Sequence, residues 1–132
     1  MILFDTTVWI DHFKGRSDPR SVHLSQILAM EEKVYCTPTI IQEVLQGFSE
    51  PNLFHVAELV LKKQHILEYH PVEAAVSAAK LYANLRKIGI TIRKSNDCLI
   101  AAFALHFDIE LCHNDRNFDQ IAAHTDLKIW KE

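Results

Sequence analysis

The sequence predicts an α/β fold built on a parallel sheet that is covered on both faces. Three observations lead there. Several apolar runs are too short to be helices, helical stretches with their own capping residues fill the intervals between them, and one late segment is apolar nearly all round. Parallel neighbours need crossovers of about a dozen residues or more, and these intervals supply them.

Ile2 to Phe4 reads as the first strand, and Asp5 or Thr6 as the cap of a helix begun by VWIDHF. Val34 to Cys36 is the second strand. Thr37-Pro38 then gives a cap followed by proline at the first helical position, with Ile40, Ile41, Val44, Leu45 and Phe48 along one face. A further helix from Pro51 carries Leu53, Phe54, Ala57, Val60 and Leu61. The third strand is Ile66 to Tyr69. The next stripe, Ala74, Ala78, Leu81, Leu85 and Ile88, stops at Gly89 in the manner of a C-cap. SNDCLIAAFALHF, with Ser95 as expected cap, should be a buried central helix. Ile109 to Cys112 is the fourth strand, and Leu127 to Trp130 a weaker fifth.

At 132 residues and 48% hydrophobic, residues 1–132 are expected to form one domain with one core. A formal charge of -3 lacks the basic excess of a protein that coats nucleic acid by charge alone. Cys36, Cys98 and Cys112 are odd in number and widely spaced, which disfavours both a disulfide framework and a zinc ribbon. No apolar run approaches the length of a membrane span and the first strand begins at residue 2, so the expectation is a cytoplasmic protein without membrane contact. Internal repeats, low-complexity tracts and a GxGxxG phosphate loop are all absent.

Four acids stand out. In open parallel sheets ligands collect beyond the carboxyl ends of the strands. Asp5 ends the first strand and Asp115 follows the fourth, so both emerge at that edge. Glu43 lies on the helix after the second strand, beside its apolar stripe, and Asp97 falls in the first turn of the buried helix, where the macrodipole favours negative charge. Each has a plain reading alone: a cap for Asp5, an Asx-turn for Asp115, a helix-end charge for Asp97, a solvated face for Glu43. Gathered together, four carboxylates would repel one another unless a cation sat among them. Oxygen-only ligands select Mg²⁺ or Mn²⁺, and that chemistry suits hydrolysis of phosphate esters by metal-activated water.

The segments DTTVWIDHF, TIIQEVLQGF, TIRKSNDCLIAAFAL and LCHNDRNFDQIA, in this order, resemble the PIN-domain ribonucleases, most closely the VapC toxins of bacterial toxin-antitoxin pairs. The resemblance covers essentially the whole chain. It implies an α/β/α sandwich with a parallel sheet of four to five strands in the order 3-2-1-4-5. It further implies a Mg²⁺- or Mn²⁺-dependent endoribonuclease in which Asp5, Glu43, Asp97 and Asp115 are the catalytic and metal-binding acids, with Thr7 holding Asp5. Glu43 and Asp97 both remain candidates for orienting or deprotonating the water. The implied partners are an RNA substrate, transfer or ribosomal RNA among the candidates, a cognate VapB-type antitoxin laid across the helices after Pro51, and a second copy in a homodimer. The alternative is a non-catalytic PIN domain kept as an RNA- or protein-binding module, against which the four intact acids argue.

One position departs from the family pattern. DRDF is frequent where this chain has DRNF, so Asn117 replaces an acid that could serve a second cation, while Asp119, four residues after Asp115, is expected at the surface. His12 and His113 flank the proposed site as possible proton carriers. Lys14, Arg16, Arg20, Arg93, Lys94 and Arg116 are candidate phosphate contacts. Setting the four acids aside turns 14 basic against 17 acidic residues into 14 against 13, a balance that need not repel RNA. Haloacid-dehalogenase phosphatases need DxD after the first strand, and Thr7 stands at the second position.

Overall fold

The computed structural model describes residues 1–132. Four strands, β1 (Ile2–Phe4), β2 (Tyr35–Cys36), β3 (His65–Ile66) and β4 (Glu110–Cys112), are all parallel and lie in the order β3-β2-β1-β4. The chain runs outward from β1 to β3 on one side and then crosses back to place β4 on the other side of β1. That reversal makes the carboxyl edge between β1 and β4 the switch point of the sheet. Register there is tight, with Ile2 opposite Glu110, Leu3 opposite Leu111 and Phe4 opposite Cys112. The Asp5 N–H continues the ladder by donating to the Cys112 carbonyl at 2.9 Å.

The expected fifth strand at Leu127–Trp130 shrinks to a single bridge between Ile129 and Leu111. Two bonds hold it at the sheet edge, the Leu111 N–H donating to the Lys128 carbonyl and the Trp130 N–H to the Leu111 carbonyl, both at 2.9 Å.

Seven helices connect and cover the strands: α1 (Thr6–Phe13), α2 (Pro19–Ala29), α3 (Pro38–Gln46), α4 (Pro51–Lys62), α5 (Pro71–Lys87), α6 (Ser95–Phe107) and α7 (Arg116–Ala123). Neighbouring residues of a strand point to opposite faces, and Leu3 and Phe4 in β1, like Leu111 and Cys112 in β4, are both fully buried. Both faces of the sheet are therefore covered, as the unbroken apolar runs require. The core joins these strands to Trp9 of α1, Ile40 and Val44 of α3, Ile100 of α6 and Phe118 of α7.

Helix α2 has no strong apolar stripe, but SDPRS carries its start signal: Asp18 caps, Pro19 opens, and Ser21 returns the capping-box bond. Helix α6 is buried on most sides, as its composition predicts. Ser95, however, does not cap it. The helical bonds begin one residue earlier, with the Asp97 N–H donating to the Lys94 carbonyl at 3.0 Å, so Lys94 holds the cap position and Asp97 is the third helical residue. At the end of α5, Gly89 takes φ +86°, and the N–H groups of Gly89 and Ile90 return to the carbonyls of Arg86 and Leu85. This stop turns residues 90 to 94 toward the start of α6 and the acidic edge of the sheet.

Candidate active site

The end of β1 delivers the first acid. Asp5 is 3% exposed and caps α1, its Oδ2 accepting the Thr7 hydroxyl at 3.0 Å and, more weakly, the Thr7 N–H at 3.5 Å. Burial raises its carboxyl from 3.8 to about 7 against the pull of the Thr6 N–H and the Thr7 bonds, and the charge of Asp97 pushes the same way as burial. After β4, Asp115 caps α7, with Oδ1 accepting the Asn117 N–H at 2.9 Å. Glu43, half-buried on α3, accepts the Thr6 hydroxyl on Oε1 at 2.7 Å. Asp97, 4% exposed in the first turn of α6, accepts the Asn117 side-chain amide on Oδ2 at 2.9 Å.

A pattern runs through these bonds. In each of the four acids one oxygen is held by a hydroxyl, an amide or a backbone N–H, and Glu43 Oε2, Asp97 Oδ1 and Asp115 Oδ2 make no hydrogen bond to the protein, whereas the Asp5 carboxylate also feels the Thr6 N–H. None of these free oxygens is sealed in the interior, since the sole buried side-chain polar atom without a partner is Trp9 Nε1. Asp97 is the electrostatic centre of the group. Burial raises its pKa first, the Asn117 amide opposes this, and the charges of Asp115 and Glu43 raise it further. The acids are thus close enough to feel one another, yet no three His, Cys, Asp or Glu side chains are gathered tightly enough to hold an ion between them. Mutual repulsion and the separate donor of each acid both favour that spread.

Sulfur plays no part. All three cysteines are free and buried, and burial pushes the thiols of Cys36 and Cys112 up to about 12 and that of Cys98 up to about 11, which keeps them protonated.

A parallel sheet with acids at its switch point is shared by several phosphate-handling folds, and the comparisons with known proteins separate them. A family model for the PIN domain matches residues 2–124. The chain belongs to the PIN-domain family. It is 32% identical over 130 residues to Ribonuclease VapC11 of Mycobacterium tuberculosis (strain H37Rv), which spans 97% of this chain and 96% of that protein. Among solved structures it is similar to VapBC2 from Rickettsia felis bound to a DNA fragment from their promoter, with a TM-score of 0.75 at 17% identity over 99% of this chain and 100% of that one. VapBC-1 from nontypeable Haemophilus influenzae gives a TM-score of 0.71 at 23% identity over 99% and 98%. At those identities the structures establish the fold.

Within this PIN domain the lesser candidates separate clearly. His12 is turned away from the acids, its Nδ1 bonded to Ser25 of α2 at 2.6 Å, and burial lowers its pKa. His113 is in the site loop. Its Nδ1 accepts the Asp115 N–H at 3.0 Å, so in the neutral ring the proton is on Nε2, which donates to Asp119 Oδ1 at 3.1 Å. Burial lowers its pKa despite the nearby carboxylate, so this contact is a neutral hydrogen bond that fixes the loop. Asp119 is exposed, two-thirds of its side chain reaching solvent.

Two contributions are not legible in the acids alone. Thr6 and Thr7 hold different carboxylates, Glu43 and Asp5, and the DTT spacing at a strand end is their sequence signal. Asn117 touches two acids at once, through its backbone N–H and its side-chain amide.

Proposed function

We propose that this PIN domain, formed by residues 1–132, is a metal-dependent endoribonuclease that hydrolyses RNA phosphodiester bonds by attack of water. It acts in the cytoplasm as the toxin of a toxin-antitoxin pair. One observation carries the reading: four carboxylates at the switch point are each held by the protein, and Glu43, Asp97 and Asp115 keep a second oxygen without a hydrogen bond to it. An oxygen-only set, with Asp5 and Asp97 buried and resisting ionisation, fits a hard divalent cation, Mg²⁺ or Mn²⁺. Bound there, the ion would polarise the phosphoryl oxygen, lower the pKa of a bound water and stabilise the leaving oxygen.

The chain's own residues prepare that step. Thr7 fixes Asp5, Thr6 fixes Glu43, and Asn117 fixes Asp97 and Asp115 together, so the free oxygens keep their orientation when repulsion is relieved. Glu43 and Asp97 stand on helices rather than at strand ends, and the free oxygen of either can take the proton from water. The similarity to Ribonuclease VapC11 supports RNA as substrate. Purified protein should cleave single-stranded RNA with Mg²⁺ or Mn²⁺ and stop in EDTA; cleavage that persists in EDTA excludes the metal site.

The toxin role is supported by the resemblance to VapC proteins and by the surface of α4. Leu53, Phe54, Val56 and Leu59 are 54%, 38%, 53% and 48% exposed, an apolar face suited to a VapB-type antitoxin. A homodimer belongs to the same proposal, with Val72 and Val76, one turn apart on α5, exposed for contact. Expression alone should arrest growth, and co-expression of the neighbouring small gene should restore it. Normal growth with soluble, acid-intact protein would refute the toxin role.

A further inference from the structure

Six cations lie near the acidic edge in sequence, and the fold divides them. Arg16 pairs with Asp11 at 2.9 Å and Arg20 with Asp18 at 3.2 Å, so both are engaged on the surface of α1 and α2. Lys14, Arg93, Lys94 and Arg116 make no ion pair. Arg93 and Arg116 border one open groove of about 820 Å³, which also reaches Asp115 and Asn117 of the acid cluster. Ile90 is the sole hydrophobic residue among its ten lining residues. The groove runs from the α5–α6 loop, set by the Gly89 stop, to the first turns of α7. Asn114 and Gln120 border it too, exposed and with no hydrogen bond from their side chains to the protein.

Two unpaired guanidinium groups beside an acidic centre make poor sense for a neutral small ligand, whose pockets are mostly apolar. They make good sense for a polyanion that must cross that centre. Arginine forks match phosphate oxygens, and carboxamides offer both donor and acceptor to the edge of a base. In a duplex the Watson-Crick edges are already paired, whereas a single strand can lay its phosphates on arginines and turn its edges toward Asn114 and Gln120.

Resting on the ribonuclease reading above, we propose that this groove is the entry track for single-stranded RNA. Arg93 and Arg116 hold phosphates flanking the scissile one, and Asn114 and Gln120 meet the bases between them. On the α1–α2 side Arg16 and Arg20 are engaged by Asp11 and Asp18, whereas the two arginines of the groove are unpaired.

The test uses the full chain carrying Asp97→Asn, to prevent cleavage, and a short fluorescein-labelled single-stranded RNA of mixed sequence, titrated in Mg²⁺ at several salt concentrations. Arg93→Gln and Arg116→Gln should each weaken binding roughly tenfold, and each should lower the slope of log K against log salt by about 0.7. Arg16→Gln is the control. It removes the same charge beyond the far end of α1, about 12 Å along the helix from the site, and should change neither quantity. In the cleaving protein the two groove variants should raise KM more than they lower kcat, and Asn114→Ala with Gln120→Ala should change which sequences are cut without changing the salt slope. Binding and slope like wild type in both arginine variants, or an equal effect of Arg16→Gln, would overturn the track. Metal-dependent cleavage that Asp97→Asn abolishes would still stand in that case, so failure of the groove is distinguishable from failure of the nuclease reading.

Discussion

Asp5 and Asp18 cap successive helices with the same local geometry, each accepting a backbone N–H two residues on, yet they meet opposite surroundings. Asp18 is on the surface, with Arg20 bonded to both of its oxygens at 3.3 and 3.2 Å and Ser21 closing a capping box. Asp5 is buried at a strand end, has threonine donors but no cation, and faces another acid. A complete cap satisfies its carboxylate; an incomplete one leaves an acid that is costly to ionise. Asp115 repeats the incomplete kind at the start of α7. The cap motif therefore cannot distinguish structural from functional acids. The partner of the second oxygen does.

The largest effect expected from that contrast is on cleavage. Asp97→Asn keeps side-chain shape and should lower the cleavage rate by orders of magnitude, whereas Asp18→Asn, which retains a good cap and loses only a surface ion pair, should leave it near wild type. Equal rates in the two variants would erase the distinction.

A smaller effect follows from Asn117, the neutral link between Asp97 and Asp115. Asn117→Asp removes the amide donor and adds a fifth carboxylate, so the chelated protein should lose roughly 1–3 kcal/mol of stability while Mn²⁺ stabilises it more than it stabilises wild type. Urea melts with EDTA and with Mn²⁺ measure both.

The pH dependence sharpens the comparison further. Burial raises the Asp5 carboxyl from 3.8 to about 7, so between those values the folded chain keeps a proton that the unfolded chain has released. The stability this supplies is complete below the unfolded value and is lost as pH rises through about 7. Melting temperatures of the metal-free protein should fall from about pH 5 to about pH 8, and Asp5→Asn should flatten that slope. The smallest effect belongs to Asp119→Asn. That side chain is exposed and bonded to a neutral His113, so neither cleavage nor the Mn²⁺ shift should change much.

Much of this was legible in the sequence because it depended on local pattern. Strands β1, β2 and β4 follow from apolar runs, α3 from Thr37-Pro38, the end of α5 from Gly89, and the buried state of α6 from its composition, whereas the third strand, expected at Ile66 to Tyr69, pairs only at His65–Ile66. The positions of Asp5 and Asp115 follow from the general edge at which parallel sheets present ligands. Other features depended on tertiary partners. Ser95 resembles a cap until the Lys94 carbonyl is seen to begin the helix, and Leu127–Trp130 resembles a strand although only Ile129 forms a bridge, to Leu111. On α4 the apolar residues divide, Ala57, Val60 and Leu61 packing on the core while Leu53 and Phe54 stay exposed, because periodicity identifies a face without saying what covers it. The bonds from Thr6 to Glu43 and from Asn117 to Asp97 join residues 37 and 20 positions apart and leave no local trace.

The central claim is that the four acids bind a divalent cation, and it is tested most directly by thermal melts of wild type, Asp115→Asn and Asp18→Asn in EDTA and in Mn²⁺. An ion that binds only the folded chain stabilises it by about 2.7 kcal/mol at a hundredfold excess over Kd. Asparagine caps a helix as well as aspartate does and carries no charge to repel Asp97. In EDTA, Asp115→Asn should therefore melt at or above wild type, and in Mn²⁺ it should gain much less. Asp18→Asn should show the full wild-type gain. If instead Asp115→Asn loses stability in EDTA and keeps the full Mn²⁺ gain, Asp115 is a structural cap like Asp18 and the four acids do not form a metal site.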